Sequence, residues 1–99
     1  MGGARPLAGG EAQQAADVFK ALADPTRVQM LHMLKTSLQP ICVCDFVITF
    51  GLAQPTISHH LGKLKHMGFV ESGKRGACTF YALQPRARET NEAVLALIP

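Results

Sequence analysis

A mainly α domain (α+β), five helices with one β-hairpin, is the fold class that the 99-residue sequence predicts. Three observations predict it. Apolar residues recur at helical spacing through much of the chain. Two of the helical stretches are separated only by Gly51-Leu52-Ala53, a short glycine-containing turn of the kind that joins crossed helices. Two β-prone runs, Phe69–Ser72 and Ala77–Leu83, flank Gly73-Lys74-Arg75-Gly76, the pattern of a hairpin with a basic tip.

The elements follow in order. Met1–Gly10 is rich in Gly and Ala and reads as a mobile tail. A disordered segment over residues 1–11 and a folded domain over 12–99 are expected. Ala15, Val18, Phe19 and Leu22 form the apolar face of a first helix. Asp24-Pro25 starts a second, with Asp24 as N-cap and Pro25 in its first turn. Val28, Leu31 and Leu34 carry its buried stripe. A third helix is expected from about Cys42 to Phe50, with Val43, Phe46, Val47 and Phe50 on one face and Gly51 as its stop. The fourth runs from about Gln54 to Met67, with Ile57, Leu61 and Leu64 facing inward and Gly68 ending it. After the hairpin, Pro85 opens a last helix with Ala87, Val94, Leu95 and Ile98 on one face.

Helices, a helix-turn-helix and then a basic hairpin make a winged helix-turn-helix. The first and last helices are apolar with little core left to cover. They are the expected homodimer surface, because a chain this short gains from burying area against a second subunit.

Composition narrows the function. The chain is 47% hydrophobic and 17% charged, a globular balance. Its net charge of +3 is a mild basic bias. Between Gln54 and Arg75 lie Lys63, Lys65, Lys74, Arg75 and three histidines, against the single acid Glu71. Such a window suits double-stranded DNA. The amino-terminal segment lacks the apolar core of a signal peptide, and Pro6 stands where a myristoylation signal wants Ser or Thr. No apolar run approaches membrane length, so a cytoplasmic protein with no membrane partner is expected. No phosphate loop or paired acid/base motif appears, which argues against an enzyme.

A recognition helix needs short polar groups near its amino end, where it enters the major groove. Gln54, Thr56, Ser58, His59 and His60 supply them. Gln pairs with adenine, and Ser or Thr reaches bases or phosphates. Lys63, Lys65, Lys74 and Arg75 offer phosphate contacts. Taken alone, the same residues would also suit a solvated helix face.

Ten residues ahead of this helix stand Cys42 and Cys44. Thiolates prefer soft or borderline ions. On a regular helix two residues apart lie about 160° around the axis, whereas one ion with bonds of about 2.3 Å needs its sulfurs within roughly 4 Å. Ion capture is therefore expected to unwind the first turn of the third helix and disturb the DNA motif. Buried packing and a strained disulfide switch are the rival roles for the pair. Cys78, alone on a hairpin strand, is expected to pack rather than to bind a metal, far from the third helix.

Ile41-Cys42-Val43-Cys44-Asp45-Phe46, Gly51-Leu52-Ala53-Gln54-Pro55-Thr56-Ile57-Ser58-His59-His60-Leu61, Gly68-Phe69-Val70 and Lys74-Arg75-Gly76 resemble the ArsR/SmtB metalloregulators. Phe19-Lys20-Ala21-Leu22-Ala23-Asp24-Pro25-Thr26-Arg27 is similar to the opening of that family, and the resemblance spans about residues 12–98. It implies a homodimeric repressor bound to an inverted-repeat operator and released by a toxic metal ion. Cys42 and Cys44 would bind arsenite or antimonite as inducer. Cadmium, lead or zinc is the alternative, and a thiol redox switch a further one. Val47 stands where some arsenite sensors have a third cysteine, and Ala53 replaces the usual N-cap Ser. The last helix has Arg86 and Arg88 but no Asp/His set, so the zinc site of the family looks absent there.

Overall fold

In a computed structural model that describes residues 2–99, the chain forms five helices and three strands. Helix α1 spans Glu11–Leu22, so the helix includes residue 11, one position earlier than the expected domain start. Helix α2 spans Pro25–Thr36. Its N-cap is Asp24, whose carboxylate accepts the Thr26 N–H at 2.8 Å. Pro25 costs nothing there, because the first N–H of a helix has no internal partner.

Next come strand β1 (Ile41–Cys42), helix α3 (Val43–Phe50) and helix α4 (Gln54–His66). Gly51 ends α3 at φ +65°, a left-handed conformation natural to glycine. Helix α4 starts from Ala53, whose side chain makes no capping hydrogen bond. Strands β2 (Val70–Arg75) and β3 (Cys78–Leu83) form the hairpin, and α5 (Glu89–Leu95) closes the chain.

The core sits between the helix-turn-helix and the sheet. Met30 and Leu31 of α2, Phe46 of α3, and Ile57, Leu61 and Leu64 of α4 are all fully buried, with Phe69 and Val70 beneath them. Phe46 also stacks on Phe50 with ring centroids 6.5 Å apart. Removing a buried aromatic such as Phe46 would cost about 3–5 kcal/mol.

Three sequence expectations are corrected. First, Cys42 is not helical. It belongs to β1 and has extended backbone, φ −68° and ψ 142°. The sheet is therefore three-stranded, in the order β1-β3-β2, all antiparallel. Ile41 pairs with Tyr81 and Cys42 with Phe80. A two-residue strand has no periodicity of its own, and pairing with β3 creates it.

Second, Gly73, Lys74 and Arg75 lie within β2, and Arg75 pairs with Cys78. The turn is Gly76-Ala77, with Gly76 at φ +61°. Positive φ at the first residue of a two-residue loop matches the twist of a tight hairpin.

Third, the last helix begins at Glu89 after the N-cap Arg88, not at Pro85. Leu95 and Ile98 join the core of their own chain. The Lys35 ammonium donates to the Leu95 and Ile98 carbonyls at 2.8 and 2.7 Å. Asn91 Nδ2 donates to the Met67 carbonyl at 3.0 Å. A cation at a helix C-terminus satisfies free carbonyls and the helix dipole together. On the first and last helices the uncovered large apolar residues are Phe19 of α1 (68% exposed) and Leu97 just beyond α5.

Candidate thiol site and nucleic-acid interface

The thiol site is built at the junction of β1 and α3. Because Cys42 is extended and serves as the N-cap of α3, its side chain folds back over the first turn. Its sulfur accepts the Cys44 N–H at 3.4 Å and the Cys44 thiol at 2.7 Å. The 160° separation predicted on a helix does not arise, since only Cys44 of the two is helical. The sulfurs already lie within the span of one shared ion. Unwinding α3 is therefore no precondition for capture.

Cys78 is also placed differently from the sequence expectation. It lies on the same face of the sheet as Cys42, two residues along β3 from the paired Phe80, near enough for the two thiols to influence each other. The Cys42 sulfur thus accepts from the Cys44 thiol and has the Cys78 thiol as a neighbour. The Cys44 thiol beside it holds the Cys42 thiol below its ordinary range, with further help from the Cys44 N–H and Cys78. Donating that hydrogen bond raises the Cys44 thiol to about 11, aided by burial and the nearby charges of Cys42 and Asp45. Cys78 is raised chiefly by its neighbour Cys42. Cys42 is buried, whereas Cys44 and Cys78 are exposed.

The donor chemistry is soft. Such thiolates fit arsenite, antimonite or cadmium better than a hard cation. Among the described residues no group of three or more His, Cys, Asp or Glu side chains is placed to hold a metal ion. The Cys42–Cys44 pair is closed up, and Cys78 is adjacent to it.

On α4 Gln54, Thr56, His59 and Lys63 are among the exposed side chains, with Ser58 half-buried. The spacing of Thr56, His59 and Lys63 keeps them on one side of the helix. His60 lies on the same side by spacing, but it is not free there. Its ring is turned toward Asp24, with Nδ1 3.8 Å from the carboxylate, and only 14% of its side chain is exposed. His60 therefore joins α4 to the N-cap of α2.

Lys65 is also engaged, donating to Ser72 Oγ at 2.8 Å and tying α4 to β2. At the wing tip Lys74 and Arg75 are both exposed, and the Arg75 guanidinium lies over the Phe80 ring at 5.6 Å. A cleft of about 550 Å³ between α1 and α4 extends the basic surface, with Lys20, Arg27, His59, Lys63 and His66 on its walls beside Asp17. Among the described residues no helix is long and apolar enough to cross a membrane.

The proximity of Cys78 to Cys42 and the strand before α3 were missed in the sequence. The available signal was the β-prone Ile41-Cys42 step, two residues that carry meaning only once paired with β3.

Comparison with known proteins agrees with this architecture. Residues 24–72 match the model of the family described as bacterial regulatory protein, arsR family. A helix-turn-helix transcriptional regulator of Methanocaldococcus jannaschii is 44% identical over 70% of this chain and 76% of its own. An arsenic resistance transcriptional regulator of Pseudomonas putida is 35% identical over 79% of this chain and 60% of its own. A cadmium resistance regulatory protein homologue of Staphylococcus aureus is 37% identical over 80% and 64%. The chain thus spans less than two thirds of the length of the two resistance regulators. Among solved structures, the homodimeric winged helix-turn-helix DNA-binding domain from Mycobacterium bovis superposes with a TM-score of 0.72 at 30% identity, covering 99% of this chain and 86% of that one. The chain belongs to the arsR family of bacterial regulatory proteins, a family of DNA-binding transcriptional regulators rather than enzymes.

Proposed function

We propose that this protein is a metal(loid)-responsive transcriptional repressor, acting as a cytoplasmic homodimer. In its free form it holds an inverted-repeat operator, and it leaves when arsenite or antimonite binds Cys42 and Cys44. The observation that carries this reading is the Cys42–Cys44 sulfur pair, 2.7 Å apart, at the N-cap of the helix that positions α4. The likeness to an arsenic resistance regulator supports the choice of ligand.

In this reading Gln54, Thr56, Ser58, His59 and Lys63 read or hold the DNA, and Lys74 and Arg75 anchor the wing. His60 ties α4 to the N-cap of α2. Helix α1, with exposed Phe19, forms the dimer surface together with the outer side of α5. Inducer binding shifts the protein toward a shape that holds operator less tightly, by as much as its affinity differs between the two shapes.

The test is operator binding of the Cys42→Ser, Cys44→Ser double variant with and without arsenite. The double variant should bind operator and ignore arsenite. Normal release would sink the assignment.

A cadmium-, lead- or zinc-responsive repressor is the second reading, favoured by the likeness to a cadmium resistance protein. Release by cadmium at lower concentration than by arsenite would select it. Release by peroxide alone would point instead to a thiol redox switch.

A further inference from the structure

Cys78 lies outside the motif that suggests the sensor, yet the sheet delivers it to the same place. Cys42 pairs directly with Phe80. Residues directly opposite on neighbouring strands share a face of the sheet, as do residues two apart on one strand. Phe80 and Cys78 are two apart on β3, so Cys42 and Cys78 are diagonal neighbours on one face. Cys42 is near enough to Cys78 to influence its thiol, and the Cys44 thiol reaches the Cys42 sulfur at 2.7 Å. All three cysteines of the chain are therefore gathered near Cys42, although Cys78 is far from the pair in sequence, and Cys78 has still to move in before the three can hold one ion. Cys44 and Cys78 are exposed, so the cluster opens to solvent on the side from which an ion would enter.

We propose that Cys78 supplies the third thiolate of a trigonal-pyramidal arsenite site with Cys42 and Cys44, so that the inducer cross-links the N-cap of α3 to wing strand β3. This rests on the arsenite reading above. It also fills the place left by Val47, from a different element of the fold.

The chemistry is ligand exchange without redox change. Arsenous acid, As(OH)3, gives up three As–O bonds and gains three As–S bonds. Each leaving hydroxide takes the proton of one thiol and departs as water, and arsenic stays trivalent. Three sulfurs complete a pyramidal site, whereas zinc in a structural site asks for four ligands.

The cross-link also supplies a route to DNA. Cys78 pairs with Arg75 across the hairpin, and the Arg75 guanidinium stacks on Phe80, the residue opposite Cys42. Drawing Cys78 toward the other two sulfurs pulls on the ladder that carries Lys74 and Arg75. The wing then moves with the sensor while α3 stays wound.

The experiment titrates reduced wild-type protein and the Cys78→Ser variant with sodium arsenite, counts the thiols left reactive, and reads the arsenic shell by X-ray absorption. Wild type should lose all three thiols per bound arsenic and show three sulfur neighbours. The variant should show two sulfurs and one oxygen. Phenylarsine oxide, which has only two exchangeable positions on arsenic, should bind both proteins alike, which also reports that the variant is folded. Two sulfurs and one oxygen in wild type, or no change in the variant, would overturn the role of Cys78 and leave the arsenite reading standing. Protection of no thiol by arsenite would overturn both.

Discussion

The Cys44 thiol lies 2.7 Å from the Cys42 sulfur, although Cys44 sits in the first turn of α3 and Cys42 does not. The pair is assembled before any ligand arrives. Arsenite should therefore bind without melting α3. Far-UV circular dichroism of the protein with and without saturating arsenite should superimpose. Loss of about one helical turn would show that capture still requires unwinding.

Lysines on the DNA face should not contribute equally. Lys63, Lys65 and Lys74 are all exposed, but Lys65 is held to Ser72. Each phosphate contact adds roughly 0.9 to the slope of log affinity against log salt. Lys63→Ala or Lys74→Ala should lower that slope by about one unit per protomer, and Lys65→Ala by much less. An equal effect from all three would contradict the assigned faces.

Asp24 couples the second helix to the recognition helix. Burial works to raise its carboxyl, but the Thr26 N–H and the charges of His60 and Arg27 outweigh it and hold the carboxyl below 3.8. A depressed carboxyl stabilises the fold fully above its unfolded value and loses that stabilisation as pH falls through its folded value. Asp24→Ala should cost about 1 kcal/mol at neutral pH, the usual worth of an N-cap. The gap from wild type in denaturant melts should narrow as pH drops below 3.8. A gap independent of pH would assign the cost to shape alone.

Ala53 leaves the start of α4 without a side-chain cap. Its extended backbone, φ −62° and ψ 147°, already suits a capping residue. Ala53→Ser should stabilise the protein by about 0.5–1 kcal/mol, seen as a higher denaturation midpoint with unchanged denaturant dependence. No gain would mean that the Ser hydroxyl finds no amide to accept from.

Helices α2, α3 and α4 are legible because each carries its own signal within one or two turns. Asp24-Pro25 starts α2, Gly51 stops α3, and Ile57, Leu61 and Leu64 mark the inner side of α4. The soft-ligand pair and the exposed polar side of α4 are legible for the same reason, since residue type and spacing are local. His60 was not separable from His59 by type, and only packing against Asp24 distinguishes them. Pro85 looked like a helix start, but α5 begins where Lys35, Asn91 and the core can hold it.

From sequence alone came the winged helix-turn-helix, the basic window and two thiols poised beside a DNA-reading helix, all encoded in short-range pattern. Tertiary structure alone decided that Cys42 is a strand residue, that its sulfur meets Cys44 and that Cys78 is its neighbour on the sheet. The physical reason is that β1 exists only through its pairing with β3. That pairing joins Cys42 to Phe80 across nearly forty residues of chain, a contact that no local periodicity records.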